Sequence, residues 1–431
     1  MNNPLKIAIA GLGTIGGGTV RLLRENADLL KRRCGRELVV TGVCDLDKKL
    51  AAEWPDVPYF DDALAMVRET DADVIVELIG GSDGIAKKLC EAAIAAGKHV
   101  VTANKALIAH HGTSLVKAAE EKGVSVAFEA AVAGGIPITK ALREGLVGNE
   151  ISRVYGILNG TCNYILTTMR ETGREFDDVL SEAQDLGYAE ADPTFDVEGI
   201  DAAHKLAILT SIAFGCEINF AAVHTEGIRH VSAMDIEFAE ELNYRIKLLG
   251  IARQTEYGIE QRVHPCMVSL ANPIAHVDGV FNAVVADGDY VDTTMYEGRG
   301  AGERPTASAV VADIADIARA NSAAALGVPA SELAPFLAAP MDRHRGRYYI
   351  RLMVTDEPGV FAEIAATLRD CEVSMEAVLQ KGRAPGEAVP VVMTTHETSE
   401  ASMRRALEMI TALNAVIEPP RMIRIQSFTS G

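Results

Sequence analysis

Up to residue 137, short apolar runs alternate with amphipathic stretches. KIAIAG, ELVVTGVCD, ADVIVELIGG, KHVVTAN and VSVAFEAAV read as strands, with helices such as 85–96 and 113–121 between them. Apolar strands separated by helical periods predict a parallel, doubly wound α/β sheet covered on both faces. Beyond residue 137 the periods lengthen. Helices are predicted over 163–171, 176–186, 201–213 and 234–254, and strands over 151–158, 261–270 and 283–291, which is an α+β mixture. A helical run over 307–318 follows GRGAGERPTA and is expected to return to the first domain, because a Gly-rich turn permits close backbone approach.

An Ala- and Pro-bearing connection over 328–347 leads to a last unit. It shows strand YYIRLMV, turn TDEPG, helix VFAEIAATLRD, strand VSMEAVLQ, turn KGRAPGE, strand AVPVVMTT, a helix over 399–413 and a strand over 416–425. This βαββαβ order is ferredoxin-like and contains no nucleophile or base cluster, so it reads as a binding or assembly domain. The expected division is 1–137, 138–327 with 300–320 packing back, a linker at 328–347, and 348–431.

A chain of 431 residues exceeds what one core supports, so several domains are expected. A net charge of -19 argues against nucleic acid and anionic membrane as partners and leaves a small molecule. The seven cysteines lack CxxC or CxH spacing, which suits reduced thiols in a cytoplasm and indicates no structural metal. MNNPLKIAIAG has neither a basic n-region nor a long apolar one, so a cytoplasmic protein is expected.

Immediately after the first strand comes Gly11-Leu12-Gly13-Thr14-Ile15-Gly16, a GxGxxG at a strand-to-helix turn. In that context the glycines allow a tight turn and close approach of a pyrophosphate to a helix N-terminus, so a dinucleotide site is predicted. Asp45 ends the second strand, where an acid would bind adenosine ribose hydroxyls and favour NAD, while Lys48 and Lys49 could meet a 2'-phosphate. Asn104 and Lys105 follow strand HVVTA at the carboxyl edge where ligands of such sheets collect, and a lysine there can depress the pKa of a second by like-charge repulsion.

GYAEADPTFDVEGIDAAHK gathers Glu190, Asp192, Asp196, Asp201 and Lys205 in a Gly- and Pro-turned stretch entering a helix. Asp201 and Lys205, four apart, share one helical face. That pattern is compatible with an ordinary surface ion pair or with a proton-transfer site. Asp192, beside Pro193, reads as a turn former. His204 points about 100 degrees away from Lys205 and is a neighbour rather than a base. Cys162 in NGTCNYIL is either a buried thiol or the nucleophile of a thioester-forming semialdehyde dehydrogenase. A non-catalytic amino acid sensor is the alternative from another class.

GLGTIGGG, VELIGG, TANKALIA, EAAVAGGIPI, NGTCNYIL, GYAEADPTFDVEGIDAAHK and GRGAGERPTA, followed by DEPGVFAEIA, closely resemble homoserine dehydrogenase in the long form with a C-terminal ACT domain. The resemblance implies NAD(P)-dependent interconversion of L-homoserine and L-aspartate 4-semialdehyde, on the way to threonine, methionine and isoleucine. It further implies Lys205 as proton donor and acceptor, Lys105 as a second active-site lysine near the nicotinamide, and Asp201, Glu190 and Asp196 as substrate carboxylates. Gly187 and Gly302 would lie beside the cofactor. Glu129, Val132, Gly134 and Ile136 would hold a monovalent cation, Na+ or K+; without the resemblance EAAVAGGIPI reads as a strand end and turn. Cys44 stands where many relatives carry an Arg facing the NADP phosphate. The turn Asp356-Glu357-Pro358-Gly359 matches an effector loop, with threonine as the implied effector. Sheet edges suit self-association into a homodimer or homotetramer.

Overall fold

The computed structural model describes residues 3–321, 323–381 and 386–428. Six strands, β1 (Leu5–Ala10), β2 (Leu38–Cys44), β3 (Tyr59–Phe60), β4 (Val74–Glu77), β5 (His99–Thr102) and β6 (Val126–Ala127), form one parallel sheet in the order β3-β2-β1-β4-β5-β6. The order reverses between β1 and β4, so the crevice beyond their carboxyl ends is where a ligand of this topology sits. Ile7, Ile9, Val74, Val76 and Val101 are buried on one face against Val310 and Ile314 of the helix Glu303–Ala318, which thereby returns to the N-terminal sheet.

The remaining strands are β7 (Ile151–Ile157), β8 (His224–Thr225), β9 (Tyr244–Thr255), β10 (Gly258–Ser269), β11 (Phe281–Gly288), β12 (Asp292–Arg299), β13 (Arg345–Thr355), β14 (Met375–Gln380), β15 (Ala388–Thr395), β16 (Thr398–Ser399) and β17 (Arg421–Gln426). They belong to one mixed sheet whose main path is β12-β11-β7-β9-β10-β17-β13-β15-β14. Its last four positions have the strand order of a ferredoxin-like βαββαβ unit, with the helices Val360–Asp370 and Glu400–Thr411. Parallel pairing of β17 with β10, Cys266 opposite Arg424, joins that unit to the central strands.

At this junction Arg424 is 2% exposed and bridges two carboxylates, Glu226 at 2.8 Å and Glu400 at 2.5 Å. On the other face, Asp235 of the helix Ala233–Glu241 accepts hydrogen bonds from Tyr349 Oη at 3.0 Å and Arg351 Nε at 2.7 Å.

Several expected elements differ. The helix expected over 234–254 is the helix Ala233–Glu241 followed by β9, with Asn243 left-handed (φ 63°) at the break. YRIKLLGIARQT fits either period, and twelve ladder positions with β10 decide for the strand. The strand expected over 416–425 begins only at Arg421, because Pro419 and Pro420 offer no N–H to a ladder. VSVAFEAAV contributes only two strand residues before a 3-10 turn over Glu129–Ala131. β12 has no counterpart among the expected elements. The turn expected at 381–387 lies largely outside the described residues.

Candidate active site

Gly199, left-handed at φ 80°, turns the chain into the helix Ile200–Phe214, which is buried from Asp201 to Ile212. A side chain at Gly199 would press on Val263 and Thr225, so the turn is packed as well as bent. Asp201 stands in the first turn, where the helix dipole favours a carboxylate. Its Oδ2 accepts from Lys205 Nζ at 2.7 Å and from Asn159 Nδ2 at 2.8 Å, while its Oδ1 lies 3.0 Å from Lys105 Nζ. Lys205 Nζ also donates to the Leu158 carbonyl at 2.8 Å.

Lys105 opens the helix Lys105–Lys122, capped by Asn104, whose side chain accepts from Leu107 N at 3.0 Å and donates to Gly81 O at 2.6 Å. The Lys105 ammonium also lies over the Phe195 ring. Asn159 ends β7's extension, accepts from Cys162 N at 2.8 Å as cap of the helix Gly160–Thr172, and donates to Asp196 Oδ1 at 2.8 Å. Lys105, Asn159, Asp196, Asp201 and Lys205 line a cavity of about 440 Å³ together with Gly187, Tyr188, Asn282 and the turn Gly300–Gly302.

The charges order themselves around Asp201. Burial alone would raise its carboxyl, but Lys205 and Lys105 outweigh burial and hold it well below the usual range. Burial pulls Lys105 down, yet Asp201, then Asp196 and Glu190, leave it above its ordinary value. The carboxylate thus sits between the two ammonium groups and offsets the repulsion expected from sequence. Asp196 is pushed up by burial and by the charge of Asp201, while Asn159 opposes the shift.

Other sequence candidates separate by geometry. Glu190 is exposed and stands outside the cavity lining, although its charge is felt at Lys105. Asp192 accepts from Thr194 N at 3.1 Å as a turn former. His204 lies 3.4 Å from His110, off the lining; burial, then His110, pushes it down to about 4. Cys162 donates to Asp196 O at 3.2 Å, and burial pushes its thiol well up, so it is held protonated and is a poor nucleophile.

The glycine turn fits a dinucleotide. Gly11 is left-handed (φ 93°) with Leu78 O directly against it, and a side chain at Gly16 would overlap Gly11 O. By contrast, a Cβ at Gly13 would meet open space, and the helix Thr14–Glu25 has no side-chain cap and no acid in its first turn, which leaves its N-terminus to an anion. Thr14 and Ile15 begin that helix. Asp45 Oδ2 accepts from Leu12 N at 2.6 Å, so this acid braces the turn from the end of β2. Gly302 (φ 116°) opens the helix Glu303–Ala318, whose Glu303 pairs with Arg21. Thr161 Oγ1 donates to Tyr188 O at 2.7 Å, which draws Gly187 to the cavity.

The loop over residues 132–136 carries left-handed Ala133 (φ 55°) and Gly134 (φ 42°), with Gly134 against Gly300 O. The Glu129 carboxylate already accepts from Thr139 N at 3.0 Å, Lys140 N at 3.0 Å and the Thr139 hydroxyl, and Ile136 O accepts from Ile138 N at 2.7 Å. Among the described residues no N–H donates to the Val132 or Gly134 carbonyl, so main-chain oxygens are what this loop can offer a hard cation. In the C-terminal unit, Asp356, Pro358 and left-handed Gly359 form the turn before the helix Val360–Asp370, with Asp356 N bonded to Glu387 O at 2.9 Å.

Asn159, the Leu158 carbonyl and Asn282 were missed from sequence. NGTCNYIL did hold a signal for the first of these, an Asn at a strand-to-helix junction in N-cap position.

Comparisons with known proteins agree with this architecture. The profile described as "Homoserine dehydrogenase, NAD binding domain" matches residues 11–129, and that described as "Homoserine dehydrogenase" matches 137–315. A homoserine dehydrogenase of Neisseria gonorrhoeae is 49% identical over 98% of this chain and 99% of its own. The crystal structure of a homoserine dehydrogenase from Thiobacillus denitrificans superposes with a TM-score of 0.93 at 49% identity, covering 98% of each chain. A hyperthermophilic archaeal homoserine dehydrogenase in complex with NADPH superposes with a TM-score of 0.63 at 29% identity, over 74% of this chain and 99% of that one. On near-full-length identity approaching one half, with both profiles in tandem, the chain belongs to the homoserine dehydrogenase family of NAD(P)-dependent oxidoreductases.

Proposed function

We propose that this chain interconverts L-homoserine and L-aspartate 4-semialdehyde with Lys205 as proton donor and acceptor. The observation that carries the reading is the Asp201 carboxylate joined to both Lys205 and Lys105 inside one cavity. A buried carboxylate that fixes two ammonium groups holds a proton at a defined atom, which is what a positioned acid or base requires. When bound, the dinucleotide supplies the hydride transfer.

An ammonium has three donors, and Lys205 commits two of them, to Asp201 and Leu158. The third is available to a substrate oxygen. In semialdehyde reduction the Lys205 ammonium gives that third proton to the substrate oxygen; in homoserine oxidation Lys205, neutral at the moment of reaction, accepts the hydroxyl proton on its nitrogen lone pair. Lys105 holds the same oxygen from the cofactor side, while Asp196 receives the substrate ammonium and Glu190, outside the cavity lining, adds its charge from the rim. Gly11, Gly13, Thr14, Ile15 and Gly16 carry the pyrophosphate, Asp45 stands at the adenosine end, and Gly187 and Gly302 flank the nicotinamide end. The open N-terminus after Gly13 and the archaeal relative's NADPH complex support NAD or NADP as cofactor.

A monovalent cation, Na+ or K+, would rest on the Val132 and Gly134 carbonyls, with Glu129 and Ile136 framing the loop. The C-terminal unit fits an ACT-type regulatory role with threonine binding at the Asp356–Gly359 turn. Under this reading the chain works in the cytoplasm, in threonine, methionine and isoleucine biosynthesis, as a homodimer or homotetramer. No helix of the described residues is long and apolar enough to cross a membrane.

The test is nicotinamide absorbance with homoserine and NAD or NADP, in potassium, sodium or bulky organic-cation buffers, with and without threonine. Turnover that needs no added phosphate separates this reading from thioester chemistry, and absence of turnover with both dinucleotides would overturn it.

A further inference from the structure

Asn282 is 1% exposed on β11, and its side-chain Oδ1 has no hydrogen-bond partner. No side-chain bond of this amide to any other described residue exists at its other end either, although the residue borders the active-site cavity. A strand that is otherwise apolar here, continuing Ala283 and Val284, has no packing need for an amide. A buried amide without partners is costly, and such groups mark a missing ligand, water or ion.

Two glycines make the room it occupies. A Cβ on Gly160 would come within 3.4 Å of Asn282 Oδ1, and one on Gly300 within 2.2 Å of its Cγ and Nδ2. The amide is therefore held between the start of the helix Gly160–Thr172 and the turn Gly300–Gly302. That turn leads into the helix Glu303–Ala318, whose Glu303 packs on Gly18 of the first helix of the dinucleotide-binding domain. Asn282 thus lies on the side of the cavity that adjoins the N-terminal sheet, while the reacting oxygen and the ammonium of a small amino acid already have partners in Lys205, Lys105 and Asp196.

We propose that Asn282 is a ligand-contacting residue whose amide pairs with the carboxamide of the nicotinamide ring. An amide offers one donor face and one acceptor face, and another amide satisfies both, whereas an ammonium or a carboxylate satisfies one. A half-turn of the side chain exchanges the two ends, so either can be presented to the cavity. The proposal rests on the reading of the chain as a homoserine-oxidising, nicotinamide-dependent enzyme, and it adds a specificity determinant for the ring.

The experiment compares wild type with Asn282→Leu and Asn282→Ser, using the nicotinamide dinucleotide that supports turnover and the 3-acetylpyridine analogue, in which an acetyl group replaces the carboxamide. Wild type should bind the analogue more weakly, and both variants should lose that discrimination. KM for the natural dinucleotide should rise roughly tenfold, the value of one hydrogen bond, with KM for homoserine unchanged. Asn282→Leu, close to isosteric and free of the unpaired amide, should melt no lower than wild type in the absence of ligand. A lowered Tm with equal loss toward both substrates would make Asn282 structural, and an effect on homoserine KM alone would make it a substrate contact; either overturns the proposal, as does unchanged analogue discrimination. If wild type shows no turnover, the functional reading fails, and dinucleotide affinity measured by fluorescence still decides the role of the amide.

Discussion

Lys205 Nζ donates to Asp201 Oδ2 at 2.7 Å from one helical turn further on, with both side chains buried. An exposed pair at this spacing adds roughly 0.2–0.5 kcal/mol to a helix and little else. Buried, and with Lys105 on the other oxygen, the same pair becomes the centre of a site. Lys205→Ala should lower kcat by about two to four orders of magnitude with homoserine. Near-normal turnover of a folded variant would remove Lys205 from the proton-transfer role.

Asn159 holds two carboxylates with one amide and caps a helix with its oxygen. Asn159→Ala should weaken kcat/KM for homoserine by about 10- to 100-fold, the value of a hydrogen bond to a charged group. Because Asn159 favours the ionised form of Asp196, its loss should also move the acid limb of the pH profile upward. An unchanged limb with only a lower Tm would reduce Asn159 to a helix cap worth about 1 kcal/mol.

Cys162 is buried and its thiol is pushed well above the ordinary range. Cys162→Ser should keep kcat within a few-fold of wild type, and iodoacetamide should leave the folded enzyme active. Loss of turnover in the serine variant, rescued by no other nucleophile, would bring back the thioester alternative.

Burial raises Asp313 to about 7, with Lys140 opposing and Glu129 adding to the shift. An unfolded carboxyl titrates near about 3.9, so the folded chain binds this proton more tightly. The stability it contributes is complete below about pH 4 and is lost as pH rises through about 7. Asp313→Asn keeps an acceptor for Glu129 N and should flatten the fall in urea midpoint between pH 5 and pH 8. Identical slopes in the two proteins would show that another group titrates there.

Arg424→Met should cost about 3–5 kcal/mol, because it strands Glu226 and Glu400 without their shared cation. Adding Glu226→Gln and Glu400→Gln should restore much of that loss, as read from urea unfolding of the full chain. Glu226 immediately precedes Gly227, whose space is bounded by Val197 O and Glu198 Cα in the turn after Asp196, so KM for homoserine in Arg424→Met is a second readout. A cost below about 1 kcal/mol would show that the junction does not depend on this bridge.

The parallel N-terminal sheet, the glycine turn after β1 and the Asp201-Lys205 spacing are legible along the chain, because strand and helix periods and Gly conformations are local properties. It also carried the family, since motif order survives without coordinates. Everything set by contacts between distant parts of the chain waited for the fold. Pairing with β10 made a strand of residues 244–255, which fit a helix equally well alone. Lys105 and Asp201 are 96 residues apart in sequence and met only through the fold, at 3.0 Å. Asn159 acquired its carboxylates, and Asn282 its isolation, from neighbours that no local pattern specifies, and β17 joined the C-terminal unit to the central sheet through a parallel pairing that leaves no periodic trace.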